Sequence, residues 1–397
     1  MPLGMKIPKA AIYLSLASLF NDVASEAVYP LLPNYMANQI GLSILLLGVF
    51  EGLAESLASF TKIYSGYVAD QGISQKKLVF LGYSLTGLSR PLYAFIANPL
   101  GILLLRLGDR FGKGIRSAPR DAWLGSLAEG NHLGFIYSFH RALDHLGAAI
   151  GPLLAAIFLW FFPGNMKMLF LLTLIPTGII LTLLLLAPAT KQKIANVKTL
   201  FSFKHMKEKV ARSPRELKIF FVSFFLFSIG QSSEAFLLLR WEKLGADLVW
   251  IPIIWMGLNL LKSLTAAFGG RFSDRYSRKT SLMIGWSLFF VACLGLAFAD
   301  SLGLALLFTL PYGLHFAFAE GPSKAYVSEK SRQEDQGTLF GFYNLLTGIA
   351  ALPASALAGY LWQNYSPAAV FYFSATTAGI ALLILWNSKS GILTANS

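Results

Sequence analysis

The chain is short of charge and almost without cysteine. Only 13% of its 397 residues are charged, while 55% are apolar, and a soluble domain carries about a quarter charged residues. That balance excludes an ordinary soluble enzyme. The single cysteine, Cys293, lies in an apolar run, so no intrachain disulfide can form and no cysteine-based metal site can be built. Gly112 and Gly114 flank Lys113, but no strand precedes them and the Walker spacing is absent, which excludes an ATP-driven pump on this chain. Acidic residues are the scarcer sign, 20 against 33 Lys and Arg for a net charge of +13. Beside so many apolar runs, such an excess marks cytoplasmic loops, and no nucleic-acid partner is expected.

What is abundant is long apolar sequence. Windows fall at roughly 10–36, 43–66, 78–97, 99–127, 134–162, 166–188, 219–240, 249–269, 280–299, 301–327, 337–362 and 366–387. About 20 apolar residues cross a bilayer as a helix, and these windows are too continuously apolar for barrel strands. The expected fold class is all-α integral membrane, with twelve transmembrane helices. Lys6 and Lys9, the apolar stretch after them and Ala24 to Ala27 resemble a signal peptide with its cleavage site. The apolar character resumes through Val28 to Leu32, which favours a retained first span.

Nine basic residues fall between Lys191 and Lys218, and Lys6, Lys76, Arg271, Arg332 and Lys389 lie on the same side. The positive-inside rule puts both termini in the cytoplasm. Trp160, Trp241, Trp250 and Trp362 near outer helix ends, and Trp123 and Trp386 near inner ends, read as interfacial anchors.

The basic stretch 191–218 is expected to link an N-terminal six-helix bundle, 1–190, to a C-terminal one, 219–397. The halves resemble each other. Gly66 and Asp70 recur 204 residues on as Gly270 and Asp274; Ser25, Glu26 and Ala27 recur 208 on as Ser233, Glu234 and Ala235. Pro119 and Ala122 answer to Pro322 and Ala325, and Gly134 and Phe139 to Gly337 and Phe342, each at 203. Parallel six-helix repeats make a pseudo-symmetric pair of bundles with binding expected near the midplane.

Gly270, Asp274, Arg275, Arg278 and Lys279 stand at the spacings of a cytoplasmic loop that resembles the signature of the major facilitator superfamily. The first copy keeps Gly66 and Asp70, has Gln71 where the family usually has Arg, and displaces its basic pair to Lys76 and Lys77. Arg110, Lys113 and Gly114 are similar to the family's Arg-x-x-Gln-Gly motif on the fourth helix, with Lys113 in place of Gln. The segments from Gly112 to Asp121 and from Tyr343 to Gly348 look like bacterial members. The resemblance covers nearly the whole chain. It implies alternating-access transport, a cavity lined by helices one, four, seven and ten, and a cytoplasmic gate at Gly66, Asp70, Gly270, Asp274, Arg275 and Arg278. A small Gly would let helices approach closely there, and the Asp would receive a basic side chain.

The fourth window carries the densest chemistry: Arg106, Asp109, Arg110, Lys113, Arg116, Arg120 and Asp121. At about 100° per residue these fall within roughly 140° of one face. An unpaired charge at mid-membrane costs about 2.5 kcal/mol or more, so this face must meet a wet cavity or partners. Arg116, Arg120 and Asp121 read as inner-end charges that snorkel to the interface. Cations clamp a carboxylate or phosphate, which makes Arg106, Arg110, Lys113 and Arg141 candidate substrate-binding residues, together with Tyr29, Trp255, Asn259, Lys262, Tyr343 and Asn344. Buried carboxylates can take up and release protons within the membrane; Asp22, Glu26, Asp109, Asp144 and Glu234 are the candidates for proton coupling. The competing expectation is mutual pairing, for instance Asp22 or Glu26 with Arg110 and Asp144 with Arg141. Glu51, Glu55 and Lys62 share a face of the second window, His315 and Glu320 lie on the tenth, and His140 and His145 sit about 140° apart, which argues against a shared metal.

The expected activity is secondary active transport of a small anionic or polyhydroxylated solute, coupled to protons, by a monomer in the cytoplasmic membrane of a bacterium, with no cofactor and no metal. An exporter of lipophilic drugs or cations, with Glu26 and Glu234 as counter-charges, is the first alternative. A non-transporting membrane sensor is the second.

Overall fold

The computed structural model describes residues 7–71, 73–127, 133–188 and 203–387. The linker residues 191–202, the tail 388–397 and Lys6 lie outside the described residues, as does the side chain of Asp70. Everything described is helix, turn or coil, with no strand.

The helices are α1 (Lys9–Val28), α2 (Ile44–Asp70), α3 (Gln75–Leu92), α4 (Pro99–Ser126), α5 (Leu133–Phe161), α6 (Met166–Leu186), α7 (Phe203–Arg212), α8 (Arg215–Gly230), α9 (Ala235–Lys243), α10 (Trp250–Arg275), α11 (Arg278–Phe298), α12 (Leu302–Lys330), α13 (Gln336–Asn364) and α14 (Pro367–Trp386). Local chemistry sets several starts. Ser43 Oγ accepts from Leu46 N at 3.3 Å to cap α2, and Asn98 Oδ1 accepts from Gly101 N at 2.8 Å to cap α4, with Pro99 leading the first turn.

Among the described residues, nine helical stretches are long and apolar enough to cross a membrane, α8 and α9 counting as one stretch, Arg215–Lys243. The apolar windows also included α1, α3 and α4. These are long enough but more polar: α4 carries its charged face, α3 holds Lys76, Lys77 and Arg90, and α1 holds Asn21, Asp22 and Glu26.

Two windows are less regular than their hydropathy suggests. The first runs past α1 through short distorted turns from Tyr29 to Gln39, where Pro30 and Pro33 lack the backbone donor a regular helix needs. The seventh is interrupted at Gln231–Glu234, between α8 and α9. Irregular backbone at membrane depth survives where protein or a cavity surrounds it.

The packing divides the chain into two compact units, 1–200 with 233–260, and 201–232 with 261–397. In the first unit α1 packs on α5 and α6, α3 on α4 and α6, and α2 on α4. In the second, α8 packs on α13 and α14, and α11 on α12 and α14. Four of the first unit's five pairings recur at equivalent helices in the second, and so does a close crossing. A Cβ added at Gly82 on α3 would lie 2.6 Å from Arg116 Cβ on α4; one added at Gly285 on α11 would lie 3.0 Å from Ala319 Cβ on α12. Both members of this second pair stand 203 residues on, the offset seen in the sequence repeats. Gly82→Ala overpacks this contact and is expected to destabilise by about 1–3 kcal/mol, read as a lower thermal unfolding midpoint in detergent.

The cores differ in kind. At one end of the first unit an aliphatic cluster gathers Leu14, Val79, Leu124, Ile180 and Leu184 around Tyr83 and Trp123. The second unit is built on stacked aromatics: Phe227 lies 4.7 Å from Trp286 at 9° between ring planes, and Phe220 contacts Phe224, Trp286 and Tyr326. Trp123 and Trp241 are fully buried, unlike the exposed Trp160, Trp250 and Trp386, so those two serve packing rather than interfacial anchoring.

Candidate functional site

The charged face of α4 meets two carboxylates of α2 in the first unit. Arg106 donates from Nε and Nη2 to Glu51 Oε1 and Oε2, both at 2.7 Å, a bidentate fork with each side chain almost wholly buried. Ser233 Oγ adds a third donor to Glu51 at 3.2 Å. One turn along, Arg110 Nε lies 3.1 Å from Glu55 Oε1 without hydrogen-bond geometry, and the Glu55 side chain is 38% exposed. The first pair is closed and the second is open.

Asp109 lies between arginines, 3.8 Å from Arg106 Nη1 and 3.4 Å from Arg90 Nη2. Arg90 is buried on α3 and also donates to Asn21 Oδ1 at 3.1 Å; Asn21 Nδ2 in turn donates to Asp22 at 2.9 Å. Lys113 stands exposed one turn past Arg110.

Tyr29 joins this charged face to a second group. Its ring centroid is 5.4 Å from Arg106 Cζ and 5.7 Å from Arg110 Cζ, and 5.3 Å from the Trp255 ring. Glu26 Oε2 accepts from Trp255 Nε1 at 2.7 Å and from Asn259 Nδ2 at 3.2 Å. The first unit thus brings Tyr29, Arg106, Arg110, Trp255, Asn259 and Glu26 together, with a cationic end at Arg110 and Lys113 and a carboxylate end at Glu26.

A separate cluster lies toward the other end of α4. His140 Nδ1 is 3.2 Å from Ser15 Oγ and its Nε2 is 3.7 Å from Asp144 Oδ2. Asp144 Oδ1 is buried without a hydrogen-bond partner, and exposed Arg141 reaches Asp144 only at 4.0 Å. Asp22 is close by, because a Cβ added at Gly147, one turn past Asp144 on α5, would meet Asp22 Cβ at 3.0 Å. Arg116 packs over the Tyr83 ring at 4.3 Å and Arg120 pairs with Asp121 at 2.9 Å. Among the described residues no group of three His, Cys, Asp or Glu could hold a metal ion.

Lys262, Tyr343 and Asn344 belong to the second unit. Lys262 Nζ lies 4.2 Å from the Phe316 ring, and buried Tyr343 stacks on Phe224 at 4.4 Å beside half-buried Asn344. Glu234, grouped with the first unit, occupies the break before α9 and its carbonyl accepts from Leu237 N. At the signature loop, Asp274 and Arg275 are exposed and Arg278 pairs with Glu329, while Lys330 bridges Glu329 and Glu216. A Cβ at Gly66 would touch Ala118 at 3.4 Å, but one at Gly270 would meet nothing within 4 Å. The tight approach falls one residue earlier, where Gly269 lies against the Ala317 backbone.

Of the mutual pairings expected from sequence, Asp144 with Arg141 is present at 4.0 Å, whereas the one expected of Arg110 is replaced by another. Arg110 pairs with Glu55, not with Asp22 or Glu26, whose hydrogen bonds come from neutral donors. Glu51, Glu55 and Arg90 complete the network. The shared face of Glu51 and Glu55 was the sequence signal for two of them, whereas Arg90 sits in a window that reads as merely apolar. A further contact carried no signal: Asn34 and Asn38 both donate to Glu242 Oε1, at 2.6 and 2.7 Å.

Comparison with known proteins fits this architecture. The Major Facilitator Superfamily pattern matches residues 14–352 and 241–394. An uncharacterized MFS-type transporter of Methanocaldococcus jannaschii is 31% identical over 387 residues, covering 96% of this chain and 95% of the relative. A Mycobacterium tuberculosis protein is 26% identical over 353 residues, 87% of this chain and 84% of the relative. Among solved structures, the nucleoside transporter NupG superposes with a TM-score of 0.76 at 15% identity, over 95% of this chain and 97% of that one. A POT family transporter in complex with 5-aminolevulinic acid gives 0.78 at 14% identity over 96% of each chain. The chain belongs to the Major Facilitator Superfamily and is a multi-pass membrane transport protein rather than an enzyme.

Proposed function

We propose that the chain moves a small polar solute bearing an anionic group, by alternating access and with proton coupling. The observation that carries this reading is the contrast between two parallel ion pairs. Arg106 is spent in a buried fork with Glu51, whereas Arg110 faces a half-exposed Glu55 without a hydrogen bond and has exposed Lys113 one turn away. A carboxylate or phosphate can compete for Arg110 and Lys113 at small cost. Trp255, Asn259 and Tyr29 supply a polar and aromatic wall for the rest of the solute.

Asp144 and Asp22 are the groups we assign to proton coupling, because Asp144 keeps a buried oxygen without a donor and Asp22 lies across the α1/α5 contact. Uptake into proteoliposomes should rise with an imposed pH gradient in the wild type. Asp144→Asn should lose that dependence while keeping solute exchange at equal pH on both sides. Uptake that ignores the pH gradient and the membrane potential alike would remove the coupling from this account.

One observation favours a second reading. Glu26, clasped by Trp255 and Asn259 with Tyr29 alongside, is the kind of carboxylate and aromatic surface that binds an organic cation. Export of lipophilic cations abolished by Glu26→Gln would support it over the anion reading.

The basic loops support cytoplasmic termini in the cytoplasmic membrane of a bacterium, and the repeated packing supports two six-helix bundles joined through 191–218. We take the working unit to be a monomer in the bilayer, with solute and protons as its partners.

A further inference from the structure

His315 lies near the middle of α12 and is only 2% exposed. Neither of its ring nitrogens, Nδ1 or Nε2, has a hydrogen-bond partner among the described residues. Aromatic rings surround it: Phe316 at 4.1 Å, Phe289 at 5.1 Å, Tyr312 at 5.7 Å and Phe227 at 6.2 Å between centroids. Lys262, near the middle of α10, holds its Nζ 4.2 Å from the same Phe316 ring.

An imidazole has a donor and an acceptor to satisfy, and burying both unpaired costs free energy that ring contacts do not return. A phenylalanine would fill this pocket of rings without that cost. A side chain that penalises the state seen here is explained when another state of the cycle satisfies it. Tyr312 carries the one hydroxyl on these four rings and it bonds neither nitrogen, while the charged side chain of α10 against the same Phe316 ring is a cation. An anionic oxygen is the chemistry that would accept from the imidazole N–H and from the ammonium together.

We infer that His315, with Lys262 beside it, forms a solute-contacting subsite of the second unit that hydrogen-bonds an oxygen of a carboxylate or phosphate group when this region opens. The inference rests on the transport reading above and extends it to residues which that reading does not use. Arg110 and Lys113 hold the anionic group in the first unit; His315 and Lys262 offer a second place for one.

The test uses the full chain in proteoliposomes treated with diethyl pyrocarbonate, which acylates accessible imidazole nitrogens. Modification at His315 is read by mass spectrometry in sodium chloride, sodium phosphate or sodium citrate at equal ionic strength. We expect slow modification in chloride and strong protection by phosphate or citrate. Purified His315→Phe should melt at or above the wild-type temperature yet bind the protecting anion roughly tenfold or more weakly, and Lys262→Gln should weaken binding as well. A His315 that is never modified in the folded protein overturns the inference, as does a His315→Phe protein that melts lower and binds the anion normally. If an anion stabilises the wild type through Arg110 but leaves His315 unprotected, the transport reading stands and this inference falls. If neither anion protects or stabilises the protein, the subsite is overturned together with the anion reading.

Discussion

Glu51→Gln is expected to destabilise the protein by about 3–5 kcal/mol, because it strands a buried guanidinium that has lost its counter-charge. Arg106 is 3% exposed and Glu51 is 1% exposed, so water cannot take over the lost role. Asp109, at 3.8 Å from Arg106 and shared with Arg90, is too distant and too committed to substitute. The same logic predicts that replacing both partners together, Glu51→Leu with Arg106→Met, recovers most of the loss, since an apolar pair carries no desolvation cost. Thermal unfolding in detergent at a fixed scan rate measures both. A Glu51→Gln protein as stable as the wild type would show that the fork contributes little to holding α2 against α4.

Arg110→Ala is expected to do the opposite: keep the fold and lose the solute. The Glu55 carboxylate left behind is 38% exposed and can be hydrated, so the structural penalty should be that of a surface pair, on the order of 1 kcal/mol or less. A charge-assisted hydrogen bond to solute is worth about 1.5–3 kcal/mol, so affinity should fall roughly ten- to hundred-fold. Arg110→Lys should retain part of it, since charge survives but the fork does not. Titrating the solute against the melting temperature of each variant separates these effects. The two arginines are one turn apart on α4, and the prediction is that one behaves as structure and the other as site.

The helical content, the repeat and the crowded charge of α4 were legible because each depends on composition or on spacing along one helix. What depends on the rotation of one helix against another was not. Glu51 and Glu55 could be placed on a common face, but that Glu51 meets Arg106 and Glu55 meets Arg110 follows from the α2/α4 crossing. Arg90 was missed for the same reason, since nothing in an apolar window announces a charge that turns inward to Asp109 and Asn21. The signature glycine was located to within one residue: the duplicated motif points to Gly270, while the backbone contact that needs a glycine is made by Gly269 against Ala317. His315 was visible as a deep polar residue, yet its lack of partners emerges only once Phe227, Phe289, Tyr312 and Phe316 are seen to surround it.

The most direct test is thermal stabilisation of the purified wild type, Arg110→Ala and Glu26→Gln proteins by organic acids, sugar phosphates and lipophilic cations. At 100 times its dissociation constant a bound ligand stabilises by about 2.7 kcal/mol, well within reach of a melting curve. An anion-bearing solute is expected to stabilise the wild type and Glu26→Gln but not Arg110→Ala. Stabilisation by lipophilic cations alone, lost in Glu26→Gln and kept in Arg110→Ala, would contradict the anion reading.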